Sequence, residues 1–275
     1  MDIKLFKKNL LKYEDVISDL LGNKYGITSQ EYIAKCENAI KKSPNLLRCE
    51  PSTLFGSIMY FAEIGLPFNS PEGFGYILPY SNRKSLEATP IVGYRGLIEI
   101  AYRNEKIKSI RVQAVYENDK FEYEYGTNDF INHKPLIKGD RGSLIAVYCV
   151  IKMQGIDPLF VVVHKEQLDE IQKMSKSGNS EYSPYNNSTD VFNIMQCKVA
   201  IKLLFKTLPK SDNSVLIKAL EMDNKFDYEK NVTISATESG YEVKESEVKT
   251  SALKEAKIEP INVVLTEALK SKQEA

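Results

Sequence analysis

Near residue 70 the spacing of apolar residues changes from a helical period to a strand period, and this change constrains the fold more than any other feature of the chain. Before it, Leu5, Phe6, Leu10, Leu11, Ile17, Leu20 and Leu21 recur at helical spacing across Ile3–Leu21. Gln30–Lys41 predicts a second helix. Pro51-Ser52-Thr53 opens a third, with Leu54, Ile58, Phe61, Ala62 and Ile64 on its buried face and Gly65 to close it. After the change, Phe74–Tyr80 and Ala88–Tyr94 read as a hairpin around Ser81-Asn82-Arg83-Lys84-Ser85, followed by a helix over Arg95–Asn104. Ile107–Tyr116 and Lys120–Tyr125 read as strands joined by Glu117-Asn118-Asp119. Ser143–Lys152 and Leu159–His164 form a further pair, and a helix over Lys165–Lys176 closes the unit. The expected class is α+β, a curved antiparallel β-sheet with helices packed on one face.

The remainder is less regular. Residues 175–190 form a long loop with almost no aliphatic content, a kind of loop that often carries function. Asp190 caps a helix over Val191–Leu208, which Pro209 ends. Beyond Asp223 the pattern fades: Lys230–Thr250 reads as a disordered linker, and a short amphipathic helix follows Pro260. The expected organisation is a helical N-terminal region over 1–65, a candidate for oligomerisation, an α+β core over 66–225, and a flexible linker and helical tail over 226–275, a candidate for partner binding. No run of about 18 apolar residues is present, and the start of the chain lacks the layout of a signal peptide, so a cytoplasmic protein without membrane contact is expected. Four widely spaced cysteines, with no CxxC pair, read as reduced, partly buried thiols.

The net charge of zero hides an asymmetry. Residues 83–210 carry 19 basic and 15 acidic side chains, whereas residues 221–275 carry 8 and 12. Placement sharpens the picture. The run Gly93-Tyr94-Arg95-Gly96 joins a strand to a helix whose positive end, aromatic ring and guanidinium suit a phosphate. Tyr76, Tyr80, Tyr94 and Tyr102 interleave with Arg83, Lys84, Arg95 and Arg103, a pattern that serves base stacking or an ordinary strand surface. Lys198, Lys202 and Lys206 recur every fourth residue, about 6 Å apart along a helix. None has an acidic residue at i±3 or i±4, so the row reads as unpaired and open to an anion, the alternative being a solvated lysine face. Enzyme signatures are missing. There is no GxxxxGK[ST], Gly73-Phe74-Gly75 has Leu78 where a dinucleotide fingerprint needs glycine, and His133 stands alone near a turn as a hydrogen-bonded structural residue. Glu117 and Asp119 leave open a magnesium ion and hence a metal-dependent nuclease; a protein that only binds nucleic acid through a basic patch is the other alternative.

Taken in order, these segments resemble the RecT family of phage and prophage recombinases, the single-strand annealing proteins. The resemblance runs from about Pro51 to Asp223. It rests on Ile64-Gly65-Leu66-Pro67, Tyr76-Ile77-Leu78-Pro79-Tyr80, Val92-Gly93-Tyr94-Arg95-Gly96-Leu97-Ile98-Glu99-Ile100-Ala101, Asn118-Asp119-Lys120-Phe121-Glu122 and His133-Lys134-Pro135. Ser175-Lys176-Ser177-Gly178 and Lys198-Val199-Ala200-Ile201-Lys202-Leu203-Leu204-Phe205-Lys206-Thr207-Leu208-Pro209 complete it. It implies ATP-independent annealing of complementary single-stranded DNA through an annealed duplex intermediate, with no cofactor required. It also implies homo-oligomeric rings or helical filaments, a 5′-to-3′ exonuclease and host single-strand-binding protein as partners, and a place in the cytoplasm of a bacterial host. The residues taken as DNA contacts are Tyr80, Tyr94, Arg95, Arg103, Lys176, Tyr185, Lys198, Lys202 and Lys206, with no catalytic and no metal-ligating residue. Tyr185 stands where the family usually has tryptophan, and Lys202 where arginine is common.

Overall fold

A helix without a polar face has no place at a surface. The helix α4 (Pro51–Ile64) carries Leu54, Phe55, Ile58, Met59, Phe61 and Ile64 around its circumference, all buried, and it forms the centre of the molecule. The computed structural model describes residues 1–22, 25–81, 85–175, 185, 192–209, 213–228 and 232–245. As expected, Pro51 opens α4 and Gly65 ends it at φ 63°. The first apolar run forms two helices rather than one, α1 (Ile3–Leu11) and α2 (Glu14–Leu21), and the break turns Tyr13 onto Phe55 at 5.6 Å. The helix α3 (Ser29–Lys42) starts with a capping box, Thr28 accepting from the Glu31 N–H while the Glu31 carboxylate accepts from that of Thr28.

The hairpin β1 (Gly75–Ser81) and β2 (Leu86–Val92) has the expected register, with Tyr76 opposite Ile91 and Tyr80 opposite Glu87. Its turn residues 82–84 lie outside the described residues. The helix α5 (Tyr94–Tyr102) follows directly. The remaining strands are β3 (Ile107–Tyr116), β4 (Lys120–Glu124), β5 (Phe130–Lys134), β6 (Leu144–Met153) and β7 (Leu159–His164). They divide into a three-stranded sheet, β3-β6-β7, and a separate β4–β5 hairpin, so β3 pairs with β6 and not with β4. The reason is that β5, with its polar Asn132 and His133, carries too weak a strand signal to be read, yet it is the partner that removes β4 from β3.

The α+β class holds, and the antiparallel strands form small sheets rather than one continuous sheet. Helices α6 (Lys165–Met174) and α7 (Ile194–Phe205) cover one face of the three-stranded sheet. The β4–β5 hairpin covers the other through rings, Phe121 stacked on Tyr148 at 5.6 Å and Tyr125 on Phe160 at 5.0 Å.

The last described segment departs most from expectation. Helix α8 (Ser214–Tyr228) runs through the point where the sequence pattern fades. Val232–Thr237 and Gly240–Glu245 form a hairpin, β8–β9, in place of the first part of the expected linker. The hairpin is held by α4. A Cβ on Gly56 would stand 2.8 Å from the Ser235 carbonyl carbon, so only glycine lets the β8 backbone pass. Val232 and Ile234 are buried there, and Glu63 of α4 binds both Tyr241 and Lys218. The tail helix expected after Pro260 lies outside the described residues.

Candidate nucleic-acid interface

A strand with one face buried must expose every second side chain. On β1, Ile77 is buried while Tyr76, Leu78 and Tyr80 are 40%, 38% and 46% exposed, a row of two rings with a leucine between them, about 13 Å long at about 3.3 Å per residue. The outer edge of β1 is closed to further strand pairing. The Asn69 side chain accepts from the Ile77 N–H at 2.9 Å and donates to its carbonyl at 3.2 Å, and Pro79 has no N–H to offer.

At the Tyr76 end, β2 enters α5 through Gly93, which caps the helix without a side-chain hydrogen bond. A Cβ on Gly96 would lie 2.0 Å from the Phe74 carbonyl oxygen, so glycine is what brings the hairpin against the first turn of α5. The N–H groups of that turn have no partner within the helix and form its positive end. Beside them, the exposed Arg95 donates to Tyr94 Oη at 3.1 Å and to the Glu72 carbonyl at 3.4 Å. Tyr94 therefore serves partly as a seat for the guanidinium, which lies 5.8 Å from the centre of its ring.

At the Tyr80 end stand α7 and α8. Partial burial, and then the Asp227 carboxylate, raise the pKa of the Tyr80 phenol. Burial, then Tyr228 and Asp227, raise that of Tyr185, which places Tyr185 in the same cluster. The lysine row is not the free row that its own helix suggests. Lys198 and Lys202 are only 5% and 6% exposed. Lys198 Nζ donates to Asp223 Oδ1 at 2.9 Å, and Lys202 Nζ to Asp223 Oδ2 at 2.8 Å and Asp227 Oδ2 at 3.1 Å. Burial works against the Lys202 charge, but Asp223 and Asp227 more than offset it and raise its pKa. Burial likewise opposes the Asp223 charge, and the two lysines hold its pKa below the ordinary carboxylate value. The expectation of unpaired lysines is overturned for these two because their partners lie on another helix, 21 to 25 residues later. Lys206 stays exposed, its pKa lowered by desolvation and then by Lys202.

Arg103 belongs to neither end. It donates to the Ile64 and Gly65 carbonyls at 2.6 and 2.8 Å and lies over the Tyr25 ring, so it closes the C-terminus of α4. Tyr102 accepts from the Ile110 N–H at 2.9 Å and holds α5 to β3. Lys176 and Asp190 lie outside the described residues.

Asp119 is occupied as well. Its buried carboxylate accepts from Arg141, from the Leu136 and Tyr116 N–H groups at 2.8 and 3.0 Å, and from His133 Nε2 at 3.1 Å. A carboxylate only accepts, so Nε2 carries a proton, and Nδ1 is hydrogen-bonded to the Tyr148 hydroxyl at 3.2 Å. Arg141 first, and the backbone N–H groups and His133 with it, push the Asp119 pKa down. Both oxygens of Asp119 are thus engaged by donors of the protein itself, His133 among them. Among the described residues no group of His, Cys, Asp and Glu is arranged to hold a metal ion, and no helix is long and apolar enough to cross a membrane. Sequence reasoning missed Asp223, Asp227 and Tyr228, which carry no motif and reach the site only through the packing of α8 against α7.

A model described as the RecT family matches residues 30–235. The chain is 30% identical over 203 residues to Protein RecT of Escherichia coli (strain K12), an alignment covering 72% of each chain. It is 25% identical over 115 residues to the uncharacterized protein YqaK of Bacillus subtilis (strain 168), covering 41% of this chain and 38% of the other.

Proposed function

The chain belongs to the RecT family, and on that premise we propose that it anneals complementary single-stranded DNA without ATP, using the outward face of β1 and its two ends. The observation that carries this reading is the exposed row Tyr76, Leu78 and Tyr80, running from Arg95 and the positive end of α5 to the cluster beside Lys206. Stacking engages the face of a base and contributes roughly 1–3 kcal/mol each, whatever the base. The pairing edges stay free, so a second strand tests complementarity directly and base pairing supplies the specificity. Arg95, Lys206 and the α5 N–H groups hold phosphates. In this reading Lys198 and Lys202 act through α8, holding Tyr185 and Tyr228 in place, and Arg103 acts by fixing the end of α4.

Assembly into a ring or filament follows from head-to-tail contacts. Leu5 and Leu11, about half exposed on α1, support the N-terminal helices as that interface. We assign contacts with a 5′-to-3′ exonuclease and with host single-strand-binding protein, in a bacterial cytoplasm, to the part of the expected 226–275 tail that follows β9.

The test is annealing of two complementary oligonucleotides without ATP, with and without magnesium, using Tyr80→Ala and Arg95→Ala beside the unmodified protein. Annealing well above the spontaneous rate, reduced in both variants at unchanged folding, is the expected result. No acceleration would refute the function. Full activity in both variants would refute the site.

A further inference from the structure

We propose that the cleft between α3 and the loop Pro67–Glu72 is a second phosphate subsite, in which Lys35 and Lys42 hold the backbone of a strand that has passed Arg95. The inference rests on the β1 reading and extends it to the N-terminal helices.

The cleft has a volume of about 200 Å³, and Lys35, Lys42, Ser70 and Glu72 line it. That is smaller than the roughly 300–1,000 Å³ of pockets that enclose whole small molecules. It suits a phosphodiester, with the base left outside. One wall is rigid: Asn69, at φ 48°, donates its N–H to the Gly75 carbonyl at 2.8 Å and its side-chain amide to Ser43 Oγ at 3.3 Å. The loop is therefore fastened both to the edge of β1 and to the end of α3. The other wall is α3, where Lys35 and Lys42 stand two turns apart, about 10 Å along the axis.

Charge decides what the cleft can take. On the same helix Lys41 is matched by Glu37 at 2.8 Å, and Lys7 of α1 shares that carboxylate at 2.9 Å. Among the described residues neither Lys35 nor Lys42 has such a match within 4 Å. Two carboxylates face them: Glu31, one turn before Lys35 and engaged by the Thr28 N–H and hydroxyl, and Glu72, whose pKa is lowered first by the Ser70 hydroxyl and its own backbone N–H, and then by Lys35 and Lys42. The Glu72 carbonyl meanwhile holds Arg95. Three cations thus converge on a loop with one carboxylate, and the cleft adjoins the Tyr76 end of the exposed row.

The experiment is titration of the full chain with fluorescent oligo(dT), long and short, over a range of salt concentrations. Lys35→Ala/Lys42→Ala should lower the slope of log K against log salt by about 1.4, from about 0.7 for each phosphate contact on a single strand. The loss should appear with the long oligonucleotide and vanish with one too short to leave β1. Glu72→Gln removes the loop's carboxylate and should tighten binding of the long oligonucleotide. Lys108→Ala/Lys152→Ala, exposed at one end of the β3–β6 pair, removes the same charge elsewhere and serves as the control. An unchanged slope, an equal loss in the control or weaker binding by Glu72→Gln would overturn the cleft. In that case loss of slope in Arg95→Ala would leave the β1 reading standing. Should the double variant lose binding only to an acidic peptide and not to DNA, the cleft would be a protein-docking site and the proposal would fail.

Discussion

Lys202→Ala separates two physical accounts of the lysine row. If Lys202 faced solvent and phosphate, its removal would leave stability unchanged and flatten the salt dependence of single-strand binding by about 0.7. The structure leads to the opposite outcome. Lys202 Nζ makes two of the three ion pairs that join α7 to α8, at 2.8 and 3.1 Å, and lies 5.2 Å from the centre of the Tyr228 ring. Its loss strips Asp227 of that partner and leaves the buried Asp223 with Lys198 alone, at 2.9 Å. Breaking a buried pair costs about 3–5 kcal/mol. Because Lys198 remains, the lower end applies, about 3 kcal/mol, a large share of the roughly 5–15 kcal/mol that hold a typical protein folded. For a chain of this size that lowers Tm by roughly 6–12 °C. Asp223→Ala should cost more, since it leaves two buried ammonium groups, and a double-mutant cycle between the two positions should show strong coupling. The assays are thermal unfolding without DNA and oligonucleotide titration at several salt concentrations. An unchanged Tm with a flattened salt slope would refute the buried pairing and restore the row as a phosphate track.

Truncation after Glu245 should leave Tm and the annealing of bare oligonucleotides intact, whereas truncation after Asp223 removes the buried Phe226, Val232 and Ile234 and should unfold the protein or lower its Tm sharply, as circular dichroism would show. Equal stability of the two truncated forms would mean that β8–β9 does not support α4. Asp119 and Asp223 both have folded pKa values below the ordinary carboxylate value of about 3.9, so their contribution is complete above that pH and is lost as pH falls through the folded values. Urea midpoints should therefore fall steeply below about pH 4, and less steeply in Asp119→Asn; identical slopes would exclude Asp119 as a source of acid sensitivity. Burial raises the thiols of Cys49 to about 11 and Cys149 to about 12, and Cys36 and Cys197 are buried too, so a thiol reagent at pH 8 should label none of the four in the folded protein and all of them in denaturant. Rapid labelling of the folded form would contradict the packing around them.

Local chemistry was legible wherever it acted within one element. The apolar faces of α3 and α4, Pro51 and Gly65 at the ends of α4, and the β1–β2 hairpin follow from spacing and from residues that start and stop elements. So does the glycine-bounded entry to α5, with Tyr94 and Arg95 at its first turn. In each case the partners lie within a few residues, and the backbone geometry is dictated by the side chains that the chain itself supplies. The exposed side of β1 is legible for the same reason, since alternation puts Tyr76 and Tyr80 opposite Ile77.

What the sequence could not reveal is every property that depends on a distant neighbour. Lys198 and Lys202 read as unpaired because only their own helix could be searched, and their counterions arrive on α8. Arg103, expected as a nucleic-acid contact, also donates to two carbonyls at the end of α4, a partnership that no local pattern announces. The polar composition of 230–250 read as a disordered linker, whereas its described part, 232–245, packs on α4 past Gly56 and buries only a few side chains of its own, Val232 and Ile234 among them. The sequence by itself determined the mixed α+β class, the helix and strand faces and the family resemblance, because these depend on period and on local capping. Only the tertiary structure decided which charges are neutralised and which remain for a ligand, because a lysine's availability is set by whatever carboxylate the fold brings within reach.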